Sequence, residues 1–311
     1  MSRSMKVAAL AATAMVLAIY AALMQGRAAR ATRALHVLPS TTRAVSWVDS
    51  RMLSRSAAAR ALLGAFVPEE QLSEIEIICG IDPIADLAEA TLWVRGSERE
   101  PFQSFGLMLR GARVDAAQIA DCHEKLVNAR GGSVARLDAP TGPLLASNDL
   151  GSAIALVDDR TVVTGAARTV AEAMAVHHSL LPSLSERPAI AGMWPRVRAR
   201  SAIAAALELP SHWQAALRQI TAFEAVSSAL HGVDAIGLAA RLAERPVAEV
   251  HLHAATAELA AESAALIRTS AANPPDGIES PWDELLRSAK VDLDGQYIVV
   301  HVDLSSLPAD H

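Results

Sequence analysis

The chain is 311 residues long, 51% hydrophobic and 20% charged, with a formal net charge of −6. That balance can bury a core and excludes a disordered chain. The acidic sum, without a basic stripe interleaved with aromatics, excludes a nucleic-acid partner. Arginine outnumbers lysine twenty-five to three, which reads as coding bias, so the abundance of alanine is not taken as a structural signal.

The first element is Val7–Met24, a run with no charge, opened by Arg3 and Lys6 and closed by Arg27, Arg30 and Arg33. As a helix it spans about 27 Å, close to the hydrocarbon thickness of a bilayer. It is expected to be a transmembrane signal anchor that makes the membrane a partner of the chain. A cleaved signal peptide is the alternative: its apolar region is usually shorter, and the nearby Ala29-Arg30-Ala31 carries a charge inside the cleavage pattern. A buried core helix would show a polar face, and only Thr13 and Tyr20 interrupt this run. Positive charge flanks both ends, so orientation rests on the rule that long domains translocate regardless of charge. The expected location is the inner membrane, single-pass, with the large domain on the periplasmic side, or the periplasm after cleavage.

Beyond a short tether, alternation predicts a strand at Arg43–Val48. Asp49 or Ser50 caps a helix striped by Met52, Leu53, Leu62, Leu63 and Phe66. Pro68, Glu69 and Glu70 suit the start of the next helix, which runs to Cys79 and stops at Gly80. Asp82-Pro83 is expected to restart a short helical turn through Leu87. Ala90–Arg95 and Phe102–Arg110 read as a hairpin with an exposed turn at Gly96–Pro101. Asp115, with Gln118 three residues on, forms a capping box for a helix ending near Asn128. Strands follow at Ser133–Asp138, Pro143–Ser147, Ala153–Val157 and Thr161–Gly165, then a helix from Ala167 to His178 that packs on Val170 and Met174.

Ser179–Pro195 holds three prolines without a clean period and is the expected domain boundary. After it come a strand at Ala202–Leu209, a helix at His212–Ile220, and strands at Phe223–Leu230, Asp234–Leu242 and Val247–His253. Thr256 caps a helix at Ala257–Thr269, and a loop at Pro274–Gly277 precedes a short helix at Trp282–Ser288. The chain closes on a hairpin, Lys290–Asp294 and Tyr297–Leu304, turning at Asp294-Gly295.

The order strand, cap, helix, loop, hairpin occurs twice, once around Asp115 and once around Thr256. The expected fold is therefore α+β, with antiparallel sheets and helices packed on one face. It divides into an anchor and tether over residues 1–34, one α+β unit over 35–180 and a similar unit over 196–311. Cys79 and Cys122 each fall on the apolar face of a predicted helix. In an oxidising compartment they can pair, with about 4 kcal/mol from loop closure; otherwise they are two buried thiols.

Four short features, Leu38-Pro39, Val48-Asp49, the Gly80-Ile81-Asp82-Pro83 box and Arg110-Gly111 before a capped helix, resemble those of uncharacterised bacterial exported proteins with an N-terminal anchor. The resemblance spans Leu35–Met174. It implies an exported, anchored α+β protein and contributes no catalytic residue.

The sharpest polar feature is His251-Leu252-His253. On a strand the two imidazoles share a face about 6.5–7 Å apart and could serve a zinc or iron site given a third ligand. The plainer reading places both on the solvent face, with Val250 and Leu252 inward. His177-His178 suit a helix C-terminus. Cys122-His123 point apart on a helix, and Glu258 with Glu262 form a solvated face. No hydrolase, metalloprotease, redox or phosphate-loop motif occurs. The expected function is a non-enzymatic envelope module that binds a protein, lipid or envelope polymer, with no cofactor. The alternative is a metal-dependent or serine-type envelope hydrolase whose residues are dispersed in sequence.

Overall fold

The structure is a computed structural model that describes residues 34–53, 69–96, 103–149, 151–199, 201–210, 230, 232–241, 246–273 and 282–304. The first strand, β1 (Thr42–Asp49), leads into α1 (Ser50–Leu53), and α2 (Glu69–Cys79) follows. Gly80, at φ +68°, ends α2 in the left-handed conformation a glycine adopts without steric cost. β2 (Leu87–Arg95) and β3 (Ser104–Gly111) form the expected hairpin, and α3 (Ala116–Ala129) starts at the Asp115–Gln118 capping box. Then come β4 (Val134–Ala139), β5 (Gly142–Ser147), β6 (Ala153–Leu156), β7 (Thr161–Gly165) and α4 (Ala167–His177). A 3₁₀ turn, Leu184–Glu186, precedes α5 (Pro188–Arg198). The rest is β8 (Ile203–Glu208), β9 (Val233–Arg241), β10 (Val247–Ala254), α6 (Ala257–Ala272), α7 (Trp282–Ser288), β11 (Lys290–Asp294) and β12 (Tyr297–Asp303).

The twelve strands among the described residues belong to one antiparallel sheet, ordered β11-β12-β10-β9-β8-β1-β2-β3-β7-β6-β5-β4. Near its middle, Ala44–Val48 of β1 pairs with β8, from Leu207 back to Ile203. Segments expected in separate units therefore share a continuous ladder. Helices cover both faces rather than one. On the first face α4 (Val170, Met174) and α5 (Ile190, Trp194) pack on Val45, Trp47, Trp93 and Val163. On the opposite face Ile119 and Cys122 of α3 pack on Ile154 and Val162, and Ala260 and Ala264 of α6 pack on Leu252 and Ile298. The reason lies in the strands. Val162 and Val163 are successive, point to opposite faces, and are both fully buried.

Two further expectations are corrected. No helix among the described residues is long and apolar enough to cross a membrane. That finding stands against the expected transmembrane signal anchor; Val7–Met24, on which it rested, lies outside the described residues. Second, the stretch Ser179–Pro195, expected to have no clean period, is helical from Pro188 onward, where α5 begins. Its buried residues Ile190, Met193, Trp194 and Val197 follow an i, i+3, i+4, i+7 spacing. The prolines obscured that period, although Pro188 sits at the tolerated first position and only Pro195 lies inside the helix. Asp82 does restart one turn, closed by the Asp86 N–H bond to Asp82 O at 2.9 Å. Its Oδ1 accepts the N–H groups of Ile84 (2.8 Å) and Ala85 (3.0 Å), a side-chain turn that delivers the chain directly into β2.

The continuation of α1 past Leu53, the helix at His212–Ile220, the strand at 223–229 and the loop at Pro274–Gly277 lie outside the described residues. Cys79 and Cys122 are joined by a disulfide across a Cα–Cα distance of 5.0 Å. Of the two readings open to the sequence, pairing is the one realised. The bond ties the end of α2 to α3 beside the cluster of Ile119, Ile154 and Val162.

Candidate functional site

The two-residue period of a strand puts Trp47 of β1, Glu89 and Thr91 of β2, and Met108 and Arg110 of β3 on one face. Register then sets them side by side, with Trp47 opposite Thr91, Thr91 opposite Met108, and Asp49 and Arg110 flanking Glu89. Above this patch stand the end of α4, the loop 179–183 and the last turn of α5, which delivers Arg198. The segment 34–40 closes one side: Leu184 N–H donates to Leu38 O at 2.7 Å, and Ser40 N–H to Pro182 O at 3.1 Å. Together they enclose a pocket of about 650 Å³, the size of a small-molecule site.

The floor of the pocket is charged, with Arg198 buried and Glu89 and Arg110 half-buried. Arg198 is 1% exposed, and its guanidinium lies over the ring of Trp47. Glu89 meets three side chains, two by hydrogen bonds and one by charge alone. Its Oε2 accepts the Trp47 indole N–H at 3.1 Å and faces Arg198 Nη2 at 3.6 Å, while its Oε1 pairs with Arg110 Nη1 at 3.4 Å. Burial pulls Arg198 down to about 9, against the pull of Glu89 and Asp49. Burial likewise pushes Asp49 up to about 6; the Arg51 N–H bond opposes it, Glu89 adds to it, and Arg51 and Arg198 oppose it. At the mouth, burial would raise Asp158, but the Arg160 N–H, Thr161 and Arg110 outweigh it and hold the carboxyl low. Burial and neighbouring His178 lower His177, against Asp158. The lip is apolar: Leu180 and Leu181 are 62% and 44% exposed.

Sequence reasoning did not find this floor. One signal was present, a carboxylate inside an otherwise apolar strand, Leu-Ala-Glu-Ala-Thr-Leu-Trp-Val-Arg. An acid drawn even partly into such a run needs partners. Arg110 and Arg198 carry no such mark, because arginines near the ends of a strand and a helix suit solvent equally well.

His251 and His253 do share a face of β10, but it is not the solvent face. His251 is buried, and so is Glu249 two residues before it. Glu249 accepts from Arg241 Nη2 at 2.9 Å and meets His251 Nε2 at 3.3 Å and His301 Nδ1 at 3.2 Å. His301 Nε2 continues to Asp292 at 3.2 Å, while His253 Nδ1 pairs with Asp234 at 2.5 Å. Burial pushes Glu249 upward, but the His251 bond and the charges of Arg241, His251 and His301 outweigh it and hold the carboxyl below its ordinary value. The two histidines thus answer to different carboxylates. Among the described residues, no group of three or more His, Cys, Asp or Glu side chains is placed to hold a metal ion.

No family model matches the chain, and no curated protein matches it. Among solved structures it is similar to crystal form I of TP0453, at 9% identity over 86% of this chain and 91% of that one, with a TM-score of 0.46. A likeness that distant carries neither a residue nor an activity across.

Proposed function

We propose that this chain is a non-enzymatic binding module of the periplasmic side of a bacterial envelope, and that the pocket under α4 and α5 is its ligand seat. The observation that carries the reading is the pocket itself, a cavity of about 650 Å³ whose charged floor and apolar lip offer both polar and apolar contact. The Cys79–Cys122 bond supports the location, since such bonds persist in oxidising compartments. Two similar α+β units remain part of the proposal. β1-β2-β3, then α3, returns β7 beside β3; β8-β9-β10, then α6, returns β12 beside β10.

The test uses the uncharged, polarity-sensitive naphthalene dye Prodan. One dye per chain should bind with blue-shifted emission, and Met108→Trp, which fills the pocket from a half-buried position, should abolish the signal at an unchanged unfolding midpoint. Binding that survives Met108→Trp would overturn the assignment.

One observation favours the second reading, a serine-type hydrolase. Next to the pocket, Ser185 Oγ lies 3.3 Å from Nδ1 of the lining residue His36, hydrogen-bonding distance for a nucleophile and its base. Labelling of Ser185 by a fluorophosphonate, lost in His36→Ala, would establish it over the binding reading.

A further inference from the structure

The pocket is polar where it is deep and apolar where it meets water. Trp47, Thr91 and Arg198, each 1% exposed, lie at the bottom, whereas Leu180 and Leu181 stand out at the lip. A wholly polar ligand leaves those leucines in water, and a wholly apolar one strips water from the floor without replacing its hydrogen bonds. An amphipathic ligand seated polar end first meets both demands.

The charge of that polar end follows from the floor. On the floor Glu89 bridges two guanidiniums, Arg198 and Arg110. Asp49, beside Glu89 across the β1–β2 pair and just outside the lining, supplies the second carboxylate, while Arg51, which also faces Asp49, is exposed. The mouth groups Asp158, Glu186, His36 and His177 are exposed, where solvent and salt screen them. A head carrying one net charge therefore adds an uncompensated charge to a partly buried, already balanced set. A neutral dipolar head does not. It can accept from a guanidinium and donate to Glu89 or to the Thr91 hydroxyl on the same floor.

We propose that the ligand of this pocket is a small amphipath whose buried head carries no net charge, a hydroxylated, amide or zwitterionic group, with its apolar tail against Leu180 and Leu181. The opposite displacements of Arg198 and Asp49, both caused mainly by burial, accord with a floor that resists added charge of either sign. The inference rests on the pocket being the ligand seat.

The test is a calorimetric titration of the full chain at pH 7.5 with four octyl compounds below their micellar concentrations: octyl glucoside, octylphosphocholine, octanoate and octylammonium. The first two should bind one-to-one, and octanoate and octylammonium about tenfold or more weaker. Glu89→Gln leaves the floor one positive charge in excess and should strengthen octanoate about fivefold or more while leaving octylammonium weak. Arg110→Gln, at a side chain that is partly exposed and so least apt to unfold the protein, should do the reverse. Octanoate or octylammonium binding the parent as tightly as octyl glucoside overturns the neutral-head inference and leaves the pocket reading standing. So does Prodan binding at the pocket without binding of any octyl compound. Failure of Prodan and all four compounds overturns both.

Discussion

Reducing the Cys79–Cys122 bond tests how much of the fold depends on one cross-link. The bond closes a loop with a sequence separation of 43. In the chain-entropy model a loop of that length removes enough freedom from the unfolded chain to contribute about 4 kcal/mol. The folded side changes little. Cys122 sits among Ile119, Ile154 and Val162, and serines there are near in size to the thiols. The variant Cys79→Ser, Cys122→Ser should therefore lose about 4 kcal/mol in urea unfolding monitored by tryptophan fluorescence, with a raised m-value because its unfolded chain is more open. The parent with reductant should show the same loss, and the double variant should be indifferent to reductant. A cost under about 1 kcal/mol, or a reductant effect on the double variant, would refute the reasoning.

Asp49, raised from 3.8 to about 6, binds its proton more tightly folded than unfolded, so it opposes folding once ionised. Asp49→Asn should gain up to about 3 kcal/mol at pH 7.5, and the gain should disappear as the pH falls below about 4; a gain independent of pH contradicts the assignment. Glu249 has the opposite sign, with its folded value lowered, so its stabilisation is present above the ordinary carboxylate range and lost as pH falls through the depressed value. Glu249→Gln should cost about 3 kcal/mol at neutral pH and little in acid, read from urea midpoints across the pH range. Gly106 lies against the buried Trp93, and a Cβ there would overlap the indole ring. Gly106→Ala should destabilise by about 1–3 kcal/mol, and an unchanged thermal midpoint would show that the ring has room to move.

Strands and caps were legible because their signals are local. The Asp115–Gln118 box and Thr256, whose Oγ1 accepts the Leu259 N–H, are realised as the residues imply. The terminal hairpin turns through Gly295 at φ +61°. What was not legible is what neighbours decide. Whether β10 shows His251 to solvent or to a covering helix depends on an element far away in sequence, and α5 hid its period behind its prolines. The joining of β1 to β8 is a pairing between segments that carry no mark of each other. The pocket is the extreme case. Its floor takes one or two residues from each of β1, β2, β3 and α5, and only the acid in an apolar strand, Glu89, stands out in its own segment.

The most direct test of the ligand seat is a residue-resolved NMR titration of the chain with octyl glucoside, observing the Trp47 indole N–H and the Met108 methyl. The account predicts saturable shifts at both, with one midpoint and one ligand per chain, while the Trp194 indole, buried against the sheet beneath α5, stays put. Saturable binding that leaves Trp47 and Met108 unmoved would contradict it.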